Sequence, residues 1–121
     1  MPDKIDYFWL FFQLKGRVSR AAYFLAGTLV WMVQIFLLYR FALEPEGSAA
    51  SQTLALAFAA SAIVGGWAHF ALTAKRFHDF GKPAYFAIVA FFIGFILLIA
   101  LSLVRGDPGP NRYGSRTNAP G

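Results

Sequence analysis

Three long apolar runs constrain the fold of this chain more than any other feature of its sequence. They cover residues 21–40, 54–74 and 84–104, and each reaches the length of about 20 residues that a helix needs to cross the hydrocarbon core of a bilayer. Hydrophobic residues make up 58% of the chain and charged residues 14%, whereas a soluble domain averages roughly 45–50% and about 25%. Because a lipid-exposed segment has to satisfy its own backbone hydrogen bonds, the sequence predicts an all-α membrane protein with three transmembrane helices. With 121 residues, the chain is expected to be a single integral-membrane domain over residues 1–121.

Two flanking segments differ from the apolar runs. Before the first run, Ile5, Phe8, Trp9 and Phe12 follow helical spacing, but this segment is too short to cross a bilayer. It is expected to form a short interfacial amphipathic helix in the headgroup plane, and packing onto the helix bundle is an equally good alternative. The last segment, residues 105–121, carries three Pro and four Gly, which predicts turns and a flexible tail.

The second apolar run is richer in small residues than its neighbours. Of its 21 residues, 11 are Ala, Gly or Ser, and Ala57, Ser61 and Gly65 repeat at intervals of four. Small residues allow helix backbones to approach closely in lipid, where the hydrophobic drive between helices is weak. This run is therefore predicted to form the central helix, with the first and third runs packed on it.

Basic residues flank the apolar runs, and their distribution predicts an orientation. The net charge is +5, but the basic residues do not gather on one soluble face, so nucleic acid is not expected as a partner. Seven basic residues lie in the N-terminal segment and in the loop after the second run, against four on the other side if the tail lies there. This excess predicts a cytoplasmic N-terminus and a tail outside.

Cysteine is absent from the chain, and its few His, Asp and Glu residues lack metal-ligand spacing, so neither a metal nor a cofactor is expected.

The densest polar stretch of the chain follows the second run. Residues 75–82 read Lys-Arg-Phe-His-Asp-Phe-Gly-Lys. Asp79 lies four residues after Lys75 and three after Arg76, which favours local charge pairing, whereas His78 beside Asp79 in a loop would suit proton transfer. Basic side chains at a membrane interface also attract anionic phospholipid headgroups. The candidate residues for a shared site or for headgroup binding are Arg17, Arg20, Lys75, Arg76, His78, Asp79 and Lys82.

Three motifs, in order, carry a family resemblance. They are Gly-Arg-Val-Ser-Arg at residues 16–20 followed by Tyr23 and Phe24, the stretch at residues 75–82, and residues 106–114, which end in Asn-Arg-Tyr-Gly. The chain resembles the bacterial inner-membrane family catalogued as domain of unknown function 805. This resemblance implies a small multi-span protein of the bacterial inner membrane without an established activity. The positions that it marks as structural motif residues are Gly16, Gly81, Asn111 and Gly114.

Two features of this chain bear on where a site shared by the family could lie. Family members often carry an acidic residue where this chain has Ala22, and often Trp where it has Phe24, so no site can depend on that carboxylate here. In addition, the first two motifs lie on one side of the membrane and the third on the other if the third run crosses it. All three motifs meet only if the tail folds back or the third run is a re-entrant hairpin around Gly94.

These observations leave three hypotheses for function. The first is a non-enzymatic membrane module that binds anionic lipid or a partner membrane protein, including a second copy of the chain. The second is a subunit of an oligomeric transporter or channel, suggested by His69, Gln34 and the small residues of the second run. The third is an intramembrane enzyme that acts through His78 and Asp79. The first is preferred because the basic residues gather at one interface.

Overall fold

A computed structural model describes residues 5–120 of the chain. The first four residues, which include Lys4 from the charge count above, lie outside this range, as does Gly121. The described residues form helices and no strand longer than an isolated bridge. In chain order the elements are α1 (Tyr7–Phe12), α2 (Arg20–Leu43), α3 (Ala49–Asp79), a 3₁₀ helix (Ala84–Val89) and α4 (Ala90–Leu103).

The predicted fold class is confirmed in its all-α content and in its number of long apolar segments. Three helical segments, Arg20–Leu43, Ala49–Asp79 and Ala84–Leu103, are long and apolar enough to cross a membrane, and a short helix precedes them. The long helices begin where the sequence supplies a side-chain cap. Ser19 Oγ accepts a hydrogen bond from a backbone N–H of the first turn of α2 at 3.1 Å, and Ser48 Oγ does the same for α3 at 3.1 Å.

Helix α3 is the central element, as its small residues predict. It contacts every other helix that the structure describes. Its approach to α2 is close: a methyl group on Gly65 would lie 3.2 Å from Val30 Cγ1, and Gln34 Nε2 donates to Ser61 Oγ at 2.7 Å. Small side chains therefore face α2 at the point where the two backbones approach.

The third apolar segment is a hairpin and not a straight helix. Its helical geometry is interrupted at Ile93, with φ −130° and ψ 38°. At its start, the Phe86 ring packs on Phe77 of α3, with ring centroids 5.8 Å apart. At its end, the Leu101 carbonyl accepts from Arg76 Nε at 2.9 Å. Because Arg76 and Phe77 are neighbours in α3, both ends of this segment lie at the same level of the bundle. We call Ala84–Leu103 the hairpin.

The tip of the hairpin lies beside His69, about a third of the way along α3 from its C-terminal end. A methyl group on Gly94 would lie 3.5 Å from both His69 Cε1 and Trp31 Cζ2. His69 precedes Phe77 by eight residues, which corresponds to about 12 Å of helix at 1.5 Å per residue. The expectation of a tail on the side opposite the N-terminal segment is therefore wrong, and the alternative of a hairpin around Gly94 describes the chain path. Length and hydropathy did not distinguish the two because both arms are equally apolar.

The tail packs on the end of the bundle. Asp107 N donates to the Asp79 carbonyl at 2.6 Å, and Asn118 N donates to the Arg17 carbonyl at 2.7 Å. Ala119 forms an isolated antiparallel bridge with Arg17. The turns made by the Pro and Gly residues of the tail present backbone groups to the end of the bundle, and the flexibility predicted for 105–121 stays a prediction.

Helix α1 packs onto the bundle, which is one of the two alternatives for the N-terminal segment, and its position in the headgroup plane stays a prediction. Trp9 and Leu10 are buried against the bundle, whereas Tyr7 and Phe8 are 68% and 64% exposed. Asp6 caps the helix by accepting from Trp9 N at 3.1 Å. The helix therefore packs onto the bundle by one face and presents aromatic side chains outward with the other, a pattern typical of helices at membrane interfaces.

Candidate functional site

The three sequence motifs meet at one end of the bundle. We call this region the polar cap and define it as residues 16–20, 75–82 and 105–119. The start of α2, the end of α3 and both ends of the hairpin lie here, so chain segments that are far apart in sequence come into contact. The opposite end of the bundle is the loop between α2 and α3, which carries Glu44 and Glu46.

A buried carboxylate lies at the centre of the polar cap. Asp79 Oδ1 accepts from Arg17 Nε at 2.9 Å, and Asp79 Oδ2 accepts from Arg76 Nη1 at 2.7 Å. All three side chains are at most 5% exposed. The prediction that Asp79 pairs locally with Arg76 is confirmed, and the larger part of the arrangement is the contact with Arg17, 62 residues away in sequence.

Arg17 uses all three of its guanidinium nitrogens inside the protein. Nη1 donates to the Gly109 carbonyl at 2.8 Å and to the Gly114 carbonyl at 3.2 Å, while Nη2 donates to the Asp107 carbonyl at 2.7 Å. Its side chain is therefore wrapped by the tail. The planar fork of five N–H donors suits this role better than an ammonium group, because the acceptors lie in several fixed directions.

Arg76 attaches the end of the hairpin to α3 in the same way. Its Nε donates to the Leu101 carbonyl, its Nη2 donates to the Val104 carbonyl, and its Nη1 reaches the Val18 carbonyl at 3.2 Å. The first two acceptors lie at the C-terminal end of α4, where carbonyls lack partners within the helix. A cation there also interacts favourably with the helix dipole.

Lys75 performs the corresponding function for α1. Its Nζ donates to the Trp9 carbonyl at 2.8 Å and to the Gln13 carbonyl, and it lies 5.0 Å from the centroid of the Trp9 ring. The side chain is fully buried. Lys75 therefore terminates α1 and holds it against α3 through a cation–π contact and two carbonyl acceptors.

His78 and Asn111 connect the central motif with the tail. His78 Nδ1 lies 2.9 Å from the Gly16 carbonyl, so this nitrogen carries the hydrogen and donates. The imidazole stacks on Tyr113, with ring centroids 3.9 Å apart and an interplanar angle of 3°. Asn111 Nδ2 donates to the His78 carbonyl at 2.9 Å and to Asp107 Oδ2 at 2.8 Å.

Three of the motif glycines are required by backbone geometry or close approach. Gly81 has φ +83°, and Lys82 N donates back to the Phe77 carbonyl at 2.8 Å, so α3 ends in a left-handed cap. At Gly106, a methyl group would overlap the Asp79 carboxylate and lie 3.3 Å from Arg76 Nη1. Gly16 also has a positive φ, and the Gly114 carbonyl is one of the acceptors of Arg17.

Sequence reasoning missed some residues of the polar cap. Asn118 has φ 61°, and its side chain forms two hydrogen bonds with Ser19, from Ser19 N at 2.9 Å and to Ser19 Oγ at 3.2 Å. Gly106 and Asp107 also contribute directly. The available signal was that Asn tolerates the left-handed region, but nothing in the sequence predicts which segment an isolated Asn in a tail will contact.

Two predicted residues lie at the rim of the polar cap. Arg20 and Lys82 are exposed, in contrast to Arg17, Lys75 and Arg76, which are at most 1% exposed. The predicted candidates therefore divide into a buried set that contacts protein acceptors and an exposed set that faces outward. This division was not apparent from the sequence, where all five are basic residues next to apolar runs.

The buried charges act as a structural connection between the motifs. Breaking a buried ion pair by removing one partner costs about 3–5 kcal/mol, because an uncompensated charge remains. Here one carboxylate joins two guanidinium groups that in turn bind the tail and the hairpin. Removal of Asp79 therefore affects three chain segments at once. Since both oxygens of Asp79 are engaged by arginines, the carboxylate is not placed to act as a general base.

A family model matches residues 11–115, and its description is a protein of unknown function, DUF805. The chain belongs to the DUF805 family. The match covers most of the chain and includes all the segments that form the polar cap except its last few residues. No curated protein and no solved structure matches the chain. In this DUF805 protein, Ala22 stands where an acidic residue was expected, and its backbone N–H contributes to the cap of α2.

Proposed function

We propose that this DUF805 protein is a non-enzymatic, multi-pass protein of the bacterial inner membrane that binds anionic phospholipid headgroups around its polar cap. The observation that carries the proposal is the ring of exposed cationic side chains at this end of the bundle. Arg40 is the exposed basic residue that the structure describes at the other end. The exposed basic residues of the cap end are Lys15, Arg20, Lys82, Arg105, Arg112 and Arg116.

The proposal differs from the sequence-based version in the residues that contact lipid. Arg17, Lys75 and Arg76 donate to protein acceptors and are buried, so they are not placed to bind headgroups. The exposed set faces outward, where headgroups would lie. Each Lys or Arg near an anionic membrane surface contributes about 1 kcal/mol of attraction. The buried motif thus builds the cap, and the rim would bind the lipid.

A groove at the rim offers a specific place for one lipid. It has a volume of about 340 Å³ and runs between the start of α2 and the end of the hairpin, with Arg20 at one side and Phe24, Ile99 and Leu103 among its apolar walls. A phosphate paired with the Arg20 guanidinium would leave an acyl chain against these walls. The groove therefore suits a molecule with one anionic group and an apolar chain.

The corrected chain path also supports a cytoplasmic location of the cap. With the tail on the same end as the N-terminal segment, nine described basic residues lie at the cap end and one, Arg40, at the other. Basic residues close to membrane-spanning segments are retained on the cytoplasmic side. The proposed orientation therefore has the N-terminal segment and the tail in the cytoplasm and the acidic loop between α2 and α3 outside.

The other two hypotheses receive less support from the geometry. An enzyme based on His78 and Asp79 would need a carboxylate with an accessible oxygen, and both oxygens are taken by arginines. A transporter or channel subunit requires an oligomer, and assembly with a second copy or with another membrane protein stays a prediction. Lipid binding needs no further component.

The test compares lipid binding by matched charge variants. The purified full-length protein in nanodiscs that contain phosphatidylcholine and phosphatidylglycerol is expected to retain phosphatidylglycerol in native mass spectrometry. A triple variant, Arg20→Gln with Lys82→Gln and Arg105→Gln, is expected to lose about 3 kcal/mol of this preference at about 1 kcal/mol per charge, roughly 100-fold. Arg40→Gln is the control and is expected to leave the preference unchanged. Equal phosphatidylglycerol retention by the triple variant and the unaltered protein would refute the proposal.

A further inference from the structure

A crevice opens below the tip of the hairpin, outside the polar cap. It has a volume of about 390 Å³ and lies between the lower parts of α2 and α3, where a hairpin that turns back leaves space that a straight helix would fill. Its walls are predominantly apolar side chains. Its polar residues are Trp31, Gln34 and His69.

Two buried polar atoms without a partner belong to residues that line this crevice. Four buried side-chain atoms of the described residues have no hydrogen-bond partner, and Trp31 Nε1 and His69 Nε2 are the two whose residues line the crevice. His69 is only 6% exposed as a residue. Gln34, the other polar residue of the crevice, donates its Nε2 to Ser61. Buried polar groups in native proteins nearly always have a partner, so these two unpaired atoms are the natural contacts for a molecule bound in the crevice.

The hydrogen bonds of Thr73 define what His69 Nε2 requires. Thr73 Oγ1 donates its one hydrogen to the His69 carbonyl at 2.7 Å. Its 3.4 Å contact with His69 Nδ1 therefore has Nδ1 as the donor, and a neutral imidazole with its hydrogen on Nδ1 has a bare lone pair on Nε2. His69 Nε2 thus needs a donor, whereas the indole N–H of Trp31 needs an acceptor. The Trp31 and His69 rings are close, with centroids 6.1 Å apart and the planes at 82°.

A hydroxyl group meets both requirements at once, since its oxygen accepts from an N–H while its hydrogen donates. We propose that the crevice binds an uncharged lipid that carries a free hydroxyl group, with the hydroxyl between Trp31 Nε1 and His69 Nε2 and the hydrocarbon chain along the apolar walls of α2 and α3. The chemical class is that of long-chain alcohols and hydroxyl-bearing neutral glycerolipids.

The depth of the crevice explains why the ligand would be uncharged. His69 is ten residues from the end of α3 at Asp79, and Trp31 is eleven residues from the start of α2 at Arg20. At 1.5 Å per residue, both rings lie roughly 15 Å below the cap, about half the thickness of a hydrocarbon core of roughly 30 Å. A charged headgroup is costly at that depth, whereas one neutral hydroxyl with two partners is not.

The decisive experiment uses three probes that differ only in hydrogen bonding. Dodecanol accepts and donates, dodecyl methyl ether only accepts, and dodecane does neither. The full-length protein in phosphatidylcholine nanodiscs is titrated with each probe in competition with tritiated dodecanol. We expect dodecanol to bind about tenfold more tightly than the ether, and the ether more tightly than dodecane, since one hydrogen bond contributes up to about a factor of ten.

Paired tryptophan variants locate the site. Trp31→Phe is expected to weaken dodecanol binding about tenfold and to abolish the difference between the ether and dodecane. Trp67→Phe is the matched control, because Trp67 Nε1 donates to the Phe12 carbonyl and lies outside the crevice, so its affinity for dodecanol is expected to be unchanged. If Trp31→Phe fails to fold, the ranking of the three probes on the unaltered protein still tests the proposal.

Several results would overturn the proposal. They are equal affinity for the three probes, binding of dodecanol that does not saturate above its partition into the lipid, and unchanged dodecanol affinity in folded Trp31→Phe. Formation of a dimer in nanodiscs that excludes dodecanol from the crevice would assign the crevice to a second copy and would also refute it. The site is independent of headgroup binding, so the triple charge variant is expected to keep its dodecanol affinity.

Discussion

The polar cap and the membrane half of the bundle are held together by different interactions. In the cap, Asp79 joins Arg17 and Arg76, and each arginine continues to carbonyls of the tail or the hairpin. In the membrane half, α2 and α3 are in contact through small residues and the hydrogen bond from Gln34 to Ser61. Most side chains on the outer faces of these helices are exposed and apolar.

This difference indicates that membrane insertion and tertiary structure depend on different parts of the sequence. Apolar runs determine which segments enter lipid, but lipid is as apolar as the helix surfaces, so hydropathy contributes little to helix–helix association. The cap has directional interactions whose partners must be paired, because an unpaired buried charge is costly. The cap is therefore expected to define the chain path, including the return of the hairpin, and the membrane half to follow it.

The largest expected effect is all-or-none and tests the chain path itself. The chain has no Cys, so single cysteines at exposed positions report which side of a membrane they face. Ser115→Cys in the tail and Lys15→Cys near α1 are expected to react with a membrane-impermeant maleimide from the same side. Glu46→Cys, in the loop between α2 and α3, is expected to react only from the other side.

Each of the three positions serves as a control for the other two, because all three are exposed. Labelling of Ser115→Cys from the same side as Glu46→Cys would show that the third segment crosses the membrane. The cap described above could not then form, and the contrast between the two regions would be lost.

The next largest effect concerns the carboxylate at the centre of the cap. Asp79→Asn leaves the charges of Arg17 and Arg76 without a counter-charge in a buried site, and we expect it to lower the free energy of unfolding by about 3–5 kcal/mol. The measurement is denaturation of the detergent-solubilised protein with sodium dodecyl sulfate, followed by circular dichroism. Glu44→Gln at the opposite end is the matched control and is expected to change stability by less than about 0.5 kcal/mol. Similar losses from both variants would contradict a special role of the cap.

The sequence predicts well those features that depend on local pattern. The apolar segments, the cap of α2 by Ser19, the central position of α3 and the left-handed turn at Gly81 each follow from a few neighbouring residues. The resemblance between the motifs and a known family also named residues that the structure brings together. Local rules cover these cases because a helix start or a glycine turn is determined within one or two turns of the chain.

The features that the sequence does not predict depend on contacts between distant segments. The interruption at Ile93 occurs without Pro, and both arms of the hairpin are as apolar as a straight helix would be. Likewise, Arg17 and Arg20 are three residues apart and have similar sequence surroundings, yet one is buried by the tail and the other is exposed. Their difference arises because the tail carbonyls surround Arg17, and no local periodicity encodes that contact.

A smaller effect, with an internal control, is expected from two glycines of the tail. Gly106→Ala introduces a methyl group where the Asp79 carboxylate lies, and overpacking of this kind costs about 1–3 kcal/mol. Gly109→Ala has no heavy atom within 4 Å of the added group, and we expect it to change stability by less than about 0.5 kcal/mol. Thermal unfolding in the same detergent compares the two. If Gly109→Ala were the more damaging variant, the close packing of the tail on Asp79 would be disproved.

The smallest expected effect measures the membrane half directly. A double-mutant cycle with Gln34→Leu and Ser61→Ala isolates the 2.7 Å hydrogen bond between α2 and α3. Interhelical hydrogen bonds in lipid average about 0.6 kcal/mol, since the unfolded helices also find partners in the membrane, and we expect a coupling energy of that size from unfolding titrations. It is several-fold smaller than the loss expected for Asp79→Asn. A coupling energy of about 3 kcal/mol, equal to the lower limit for breaking a buried ion pair, would show that the membrane half is as specifically held as the cap. The difference between the two regions would then be one of chemistry and not of strength.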